Sequence, residues 1–184
     1  MRIGRVFVGL VVALAWSAGP VAAEVGEHCA FRLVPLERMG VATDAALEPI
    51  GCFATYEQAI EVGSGGTLDV APDLTPTSLS EEALSLDATA SDVLIGTEYD
   101  GSGYVGASTS YFVPSTCSST VTWQVSYVGD AWNDRFQSGK GFGGCDVNRK
   151  FQHSNFGGDV RTCTPNCTQY EVLGNEVSSL RWRH

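Results

Sequence analysis

Hydrophobic and polar residues alternate most clearly in residues 121–127. Val, Trp, Val and Tyr occupy every second position there, with Thr, Gln and Ser between them, and a period of two is typical of a half-buried β-strand. Residues 93–99 and 109–113 are further runs of β-forming side chains, separated by segments rich in glycine and serine. Short strands with turn residues between them are typical of an all-β sandwich, which we predict for residues 93–184.

The pattern before residue 93 predicts a small α+β N-terminal unit. Residues 29–36 alternate as a strand does, and residues 37–49 form a polar, turn-rich segment. Residues 63–76 are rich in glycine and proline, which is typical of a linker.

A helix is predicted between Thr55 and Gly63 of this unit. Thr55 belongs to the residue types that cap helix N-termini, and Gly63 to those that end helices. At helical spacing, Tyr56, Ala59 and Ile60 fall on one apolar face.

Residues 1–23 have the features of a secretory signal peptide. Two arginines precede an apolar run at residues 6–16, and small residues stand before a predicted cleavage after Ala23. The apolar run is too short to span a bilayer, which takes about 20 residues. We therefore predict a secreted protein with no membrane span in the mature chain, an acidic N-terminal unit and linker at residues 24–92, and a β domain at residues 93–184.

Charge is distributed very unevenly along the chain. The 184 residues include 11 basic and 21 acidic side chains, a formal net charge of −10, and loss of the two leader arginines makes it −12. Residues 24–92 contain 13 acidic residues and two arginines, whereas residues 93–184 contain eight acidic and seven basic residues. This charge argues against nucleic acid as a partner, since phosphates would be repelled. The asymmetry indicates two units with different roles, one alternative being that residues 24–92 are a removable acidic pro-segment.

Six cysteines, an even number, favour a set of disulfides formed in an oxidising compartment. The count allows 15 pairings. No Cys-x2-Cys pair occurs, which argues against a zinc site. If the two units keep their cysteines separate, the expected pair of the first unit is Cys29–Cys52. For the four cysteines of the second unit, several pairings stay open, and we predict Cys117–Cys145 and Cys163–Cys167, the latter closing a tight loop at residues 164–166.

Two stretches of the β domain repeat one spacing of aromatic residues and glycine, about fifty residues apart. The first consists of Tyr99, Tyr104 and Gly106, and the second of Phe151, Phe156 and Gly158. Each is followed by a polar run, residues 133–138 and 174–179. The paired stretches resemble the βγ-crystallin Greek-key motif, an aromatic-x4-aromatic-x-Gly signature followed by an Asn/Asp-Asn/Asp-x-x-Ser/Thr-Ser calcium loop.

The resemblance implies an all-β Greek-key sandwich of two βγ-crystallin-like motifs, with Ca²⁺ bound between the loop of one motif and the hairpin of the other. The residues it assigns to the metal are Asn133, Asp134, Asn175, Glu176 and Ser178. Both loops depart from the pattern, because Gln137 replaces a hydroxyl residue and Gly174 removes a side-chain ligand. We therefore expect weak or single-site Ca²⁺ binding, the alternative being that these loops are purely structural turns.

No catalytic motif is evident. The Gly-x-Gly-x-x-Gly at residues 101–106 is not followed by a helix pattern, so it does not predict a dinucleotide site. We predict a non-enzymatic protein that acts in extracellular stability or recognition. The alternative is a secreted peptidase inhibitor, since small exported inhibitors form one branch of the resemblance, with residues 164–166 as the reactive loop. The corresponding partners are an extracellular protease or a cell-surface target.

Overall fold

The computed structural model describes residues 27–35, 43–68, 70–80, 84 and 92–184. The predicted signal peptide at residues 1–23 lies outside this part of the chain. The described residues are mostly β, with one α-helix, α1 (Tyr56–Gly63), and none of their helices is long and apolar enough to cross a membrane. The strands are β1 (His28–Pro35), β2 (Thr43–Phe53), β3 (Val93–Gly101), β4 (Val105–Val113), β5 (Trp123–Val125), β6 (Ser138–Gly141), β7 (Val147–His153), β8 (Gly157–Cys163) and β9 (Ser179–Arg183).

The nine strands form one mixed sheet in the order β6-β3-β4-β1-β2-β5-β9-β7-β8. The hairpin of β1 and β2 lies in its middle, where β1 pairs in parallel with β4 and β2 pairs in parallel with β5. Two three-stranded groups with matching order, β6-β3-β4 and β9-β7-β8, occupy the ends. The strands before residue 93 therefore join the two halves of the β structure.

The sheet curls strongly on itself. Tyr111 of β4 and Trp182 of β9 are four strand positions apart, which in a flat sheet is about 19 Å at 4.8 Å per strand. Their ring centroids are nevertheless 4.9 Å apart. Both rings are fully buried, together with Leu33 of β1 and Val125 of β5. One large core is therefore enclosed between the two halves of the sheet.

Helix α1 forms as predicted and covers a second, smaller core. The hydroxyl of Thr55 accepts a hydrogen bond from the backbone N–H of Gln58, and Tyr56, Ala59 and Ile60 are buried. The helix packs on β1, β2 and β4. The outer face of this half of the sheet is therefore covered.

Three local predictions are wrong. The predicted turn-rich segment at residues 37–49 overlaps strand β2. At Pro49 only β1 pairs with β2, so the N–H that proline lacks is not needed there. The prediction of a half-buried strand at residues 121–127 is wrong at Gln124. This polar residue of β5 is buried like its neighbours, because β5 lies between β2 and β9. The predicted linker at residues 63–76 is packed, since Leu68 is buried in the smaller core and Val70 and Leu74 pack against it.

The disulfides confirm the predicted pairing. The bonds are Cys29–Cys52, Cys117–Cys145 and Cys163–Cys167, and no cysteine is free among the described residues. The first bond lies within the β1–β2 hairpin, so it links that hairpin to itself and not to the rest of the sheet. The boundary predicted at residue 93 stays a prediction.

Candidate functional site

The two aromatic-and-glycine motifs fold into matching hairpins, β3–β4 and β7–β8. In each, the first and second aromatic rings meet edge to face, at 5.7 Å for Tyr99 with Tyr104 and 5.4 Å for Phe151 with Phe156. The second aromatic residue of each pair has a positive φ, 66° and 63°, as do the glycines Gly106 and Gly158. At Gly106 a Cβ would also overlap with the Asp100 carboxylate, so glycine is required there for two reasons.

One serine fastens each hairpin from the end of its polar loop. The hydroxyl of Ser138 donates to Gly101 O (2.6 Å) and accepts from Tyr104 N–H (3.0 Å). The hydroxyl of Ser179 donates to His153 O (2.7 Å) and accepts from Phe156 N–H (3.1 Å). Because the two sets of bonds are the same, positions 138 and 179 are structurally equivalent.

The two polar loops pair with each other across the molecule. Asp134 N–H donates to Val177 O (3.2 Å), and Asn175 N–H donates to Phe136 O (2.9 Å). Asp134 and Asn175 both adopt the left-handed region, with φ of 59° and 62°, which Asn and Asp tolerate better than other non-glycine residues. The second position of each loop therefore has the same backbone geometry.

A cleft of about 260 Å³ opens between these loops and the β7–β8 hairpin. We call it the loop cleft. Its walls are formed by Asp134, Gln152, His153, Asn175, Glu176 and Ser178. The Ser178 hydroxyl lies 3.5 Å from Asp134 Oδ1 and donates to Gln152 O (2.8 Å), while Gln152 Nε2 donates to Glu176 Oε2 (2.8 Å). Carboxylate, hydroxyl, amide and backbone oxygens are thus within reach of one another.

Four of the five residues predicted to bind the metal line the loop cleft: Asp134, Asn175, Glu176 and Ser178. The fifth, Asn133, is adjacent, since its Nδ2 donates to Asp134 Oδ2 (2.7 Å) and its Oδ1 is buried without a hydrogen-bond partner. Gln152 and His153 also line the cleft, and the sequence contained no signal for them beyond their place in the second hairpin. Among the described residues no three His, Cys, Asp or Glu side chains cluster as a metal site, so a cation here would depend on hydroxyl, amide and carbonyl oxygens.

The equivalent position in the first half is already neutralised by a side chain. Arg135 follows Asp134 in the first loop, just as Glu176 follows Asn175 in the second. The Arg135 guanidinium forms an ion pair with Asp100 at 2.9 Å. Gln137, which stands where the second loop has Ser178, accepts a hydrogen bond from the Ser102 hydroxyl (3.2 Å). The two loops therefore share a backbone but differ in charge.

A buried ionic cluster, not predicted from the sequence, joins the two halves. Glu98 of β3 contacts Lys150 Nζ of β7 and accepts a hydrogen bond from the Tyr170 hydroxyl, and all three side chains are at most 1% exposed. Burial lowers the pKa of Lys150, and the Glu98 charge partly opposes this. Burial and then the Glu98 charge raise the pKa of Tyr170 well above its usual value. No solvent-accessible chemistry is available to these groups.

Two further features resemble functional groups. His28 Nδ1 lies 2.9 Å from Ser108 Oγ, but Ser108 has no exposed surface, so no substrate reaches its hydroxyl. The predicted inhibitor loop between Cys163 and Cys167 is fixed to the domain, since Pro165 O accepts from Asn148 Nδ2 (2.6 Å) and Asn166 Oδ1 accepts from Gly141 N–H (3.1 Å).

No protein-family model and no curated protein matches the chain. Partial likenesses to solved structures exist. They include a βγ-crystallin from an archaeon (24% identity, 48% of this chain and 96% of that one, TM-score 0.35) and the N-terminal domain of protein S (20% identity, 48% and 93%, TM-score 0.37). A βγ-crystallin domain from Clostridium beijerinckii has 18% identity over 48% of this chain and 97% of its own, with a TM-score of 0.37. Each likeness extends over about half of the chain, and no function is taken from it.

Proposed function

We propose that this is a secreted, non-catalytic protein of two βγ-crystallin-like Greek-key motifs that binds one Ca²⁺ ion in the loop cleft and is stabilised by it. The observation that carries the proposal is the convergence of oxygen donors from two loops, with Asp134 and Ser178 facing each other beside the Gln152 carbonyl. Ca²⁺ is a hard cation that takes six to eight oxygen ligands of these kinds. Its role here is to join the two loops.

A single ion is favoured over two by the difference between the halves. In the second loop Glu176 adds a carboxylate to the cleft, whereas in the first Arg135 places a guanidinium on Asp100. A cation bound beside a guanidinium would be repelled. With only two carboxylates in the cleft, we expect a dissociation constant of about 10⁻⁴ to 10⁻³ M, in the range of extracellular modules.

The test is the thermal unfolding of the full chain in Ca²⁺ and in chelator. At about 10 mM Ca²⁺, binding to the folded state alone adds about 1.4–2.7 kcal/mol, which raises the melting temperature by several degrees. Asp134→Asn should abolish the increase, and asparagine keeps the positive φ that the loop requires.

Asp100→Asn is the matched control, because it removes one carboxylate at the Arg135-paired position and should leave the increase intact. The proposal is wrong if the wild-type protein melts at the same temperature in Ca²⁺ and in chelator, or if Asp134→Asn still responds.

A second candidate function, peptidase inhibition, is supported by the rigidity of residues 164–166. A disulfide and two hydrogen bonds hold this loop while Thr164 and Asn166 stay exposed, and a pre-ordered loop lowers the entropic cost of binding. Inhibition of a panel of secreted proteases, compared with a variant carrying alanine at all three positions, tests it. Equal inhibition by both proteins would exclude the loop.

A further inference from the structure

Three arginines stand apart from the other basic residues of the β domain. The other four have partners: Arg135 pairs with Asp100, Arg161 with Glu171, Lys150 with Glu98, and Lys140 with backbone carbonyls. Arg149, Arg181 and Arg183 have no carboxylate partner within the described part of the chain. In a chain with a net charge of −10, three unpaired cations are unexpected.

These arginines lie together on the outer face of the second half of the sheet. Arg149 of β7 is directly opposite Arg181 of β9, and Arg183 follows two residues later on the same strand. Opposite residues of antiparallel strands share a face, so the same row continues to Gln124 on β5 and Thr162 on β8. We call this surface the arginine face.

The Arg181 guanidinium is held in place without being neutralised. Arg181 lies over the Phe156 ring at 4.6 Å and the Phe151 ring at 5.4 Å, and its Nε donates to Gln124 Oε1 (2.8 Å). Burial and then the charges of Arg149 and Arg183 lower its pKa. The Nε atoms of Arg149 and Arg183 are buried without a hydrogen-bond partner. Mutual repulsion therefore persists until an anion is bound.

The first half of the molecule shows how the equivalent position is used. Because Ser138 and Ser179 are equivalent, Lys140 corresponds to Arg181, and its Nζ lies over the Tyr104 ring at 4.8 Å. That ammonium donates to three backbone carbonyls, those of Pro76 (2.7 Å), Thr77 (3.3 Å) and Leu79 (3.0 Å). The 70–80 segment of the chain is thereby fastened across the outer face of the first half.

We propose that the arginine face is a docking surface for an acidic polypeptide segment of a partner protein. The 70–80 segment provides the precedent, since it binds the equivalent cation through its backbone carbonyls. The side chains would differ, because the first half receives Leu79 in an apolar core built around Phe142, whereas the second half presents Arg149 and Arg183. Guanidinium groups bind carboxylates in a bidentate manner, which selects glutamate and aspartate.

Other anionic ligands fit this surface less well. Nucleic acid carries a dense charge that the acidic chain as a whole would repel. A small anion is usually held in a concave site, but the clefts of about 260–610 Å³ found among the described residues lie elsewhere. A polypeptide segment needs no concave pocket, since the 70–80 segment, which contains turns at residues 71–74 and 75–78, binds the Lys140 ammonium at the surface through its backbone carbonyls.

Binding of a labelled peptide of alternating glutamate and serine to the full chain tests the proposal, with a glutamine-and-serine peptide as the ligand control. Arg149→Gln with Arg183→Gln should weaken the glutamate peptide by about tenfold or more, since charge-assisted contacts are lost. Arg135→Gln with Arg161→Gln removes the same charge from paired, surface positions and should change the affinity by less than about twofold.

The proposal is overturned by any of four results: no binding of the glutamate peptide to the wild type, equal binding of the glutamine peptide, equal loss in the two double variants, or tighter binding of a polyuronate oligomer than of the peptide. Circular dichroism and melting of each variant confirm that the fold is retained. Because Arg149 and Arg183 do not line the loop cleft, the loss in their double variant is independent of Ca²⁺ binding.

Discussion

Gly139 is a residue at which packing permits no side chain. A Cβ on this strand position would overlap with Tyr170 Oη and Glu98 Oε2, two atoms of the buried ionic cluster. We predict that Gly139→Ala lowers the free energy of unfolding by about 1–3 kcal/mol or more, as overpacked cores do. Gly157→Ala is the control, because its Cβ would meet no atom closer than 3.5 Å. Urea unfolding of both variants checks the difference, and equal stability would contradict it.

Glu98 is the residue on which the buried cluster depends. Glu98→Gln leaves the Lys150 ammonium buried without a counter-charge, which costs about 3–5 kcal/mol of unfolding free energy. The double variant Glu98→Gln with Lys150→Met removes both charges, so it should be more stable than Glu98→Gln alone. Urea unfolding measures both. If the double variant were the less stable of the two, the unpaired charge of Lys150 would not be the cause of the loss in Glu98→Gln.

Some residues of the loop cleft were predictable and others were not. Asp134, Asn175 and Ser178 occupy fixed positions in a repeated spacing, so their proximity follows from two copies of one motif. Gln152 contributes a backbone carbonyl, which any residue carries and no sequence pattern reveals. The ion pair of Arg135 with Asp100 joins residues 35 positions apart, and local patterns do not predict such contacts.

The sequence did not predict that the hairpin of β1 and β2 lies in the middle of the sheet. The predicted β1 and α1 are confirmed, whereas most of β2 was predicted as a turn-rich segment. Parallel pairing with β4 and β5, however, depends on contacts across about 80 residues. Pro49 and Gly51 further disguise β2, since both are depleted in strands. The aromatic hairpins were easier to predict because their defining contacts are local.

The central place of this hairpin predicts the behaviour of the β domain in isolation. A fragment of residues 93–184 would expose the β4 and β5 edges and the surfaces that pack against Leu33 and Ala45. We expect it to aggregate or to unfold at lower urea than the full chain. Addition of a separately refolded segment of residues 27–92 should restore the monomer in size-exclusion chromatography. A stable monomeric fragment would instead show that residues 93–184 are an independent domain.

Across the whole molecule, two similar halves have acquired different surfaces. The first half covers its outer face with α1 and the 70–80 segment, while the second leaves Arg149, Arg181 and Arg183 half-exposed. The first loop is neutralised by Arg135, while the second keeps Glu176 in the cleft. The two halves therefore share backbone geometry but differ in the charge and the covering of their surfaces.

Both cores contain buried tyrosines, so unfolding at high pH is a property of the whole molecule. Four of the six tyrosines are buried: Tyr56, Tyr99, Tyr111 and Tyr170. Burial raises the pKa of Tyr56 to about 12 and that of the other three well above the usual 10. These groups stay protonated in the folded state while they ionise in the unfolded chain. Their contribution is fully present below pH 10 and is lost as the pH rises towards the folded-state values.

Each of these tyrosines therefore removes about 1.4 kcal/mol of stability per pH unit above about pH 10. The buried Lys150 does not offset this loss, because its lowered pKa affects stability only below about pH 10.5, where the lysine of the unfolded chain is still charged.

We predict that absorbance at 295 nm shows the exposed Tyr127 titrating first, followed by a cooperative step in which four tyrosinates form together as the protein unfolds. Tyr111→Phe removes one hydroxyl that lacks a hydrogen-bond partner, so this variant should unfold at higher pH with three tyrosinates in the step. A gradual titration of all six tyrosines, with no cooperative step, would contradict the unfolding of both cores in one cooperative transition.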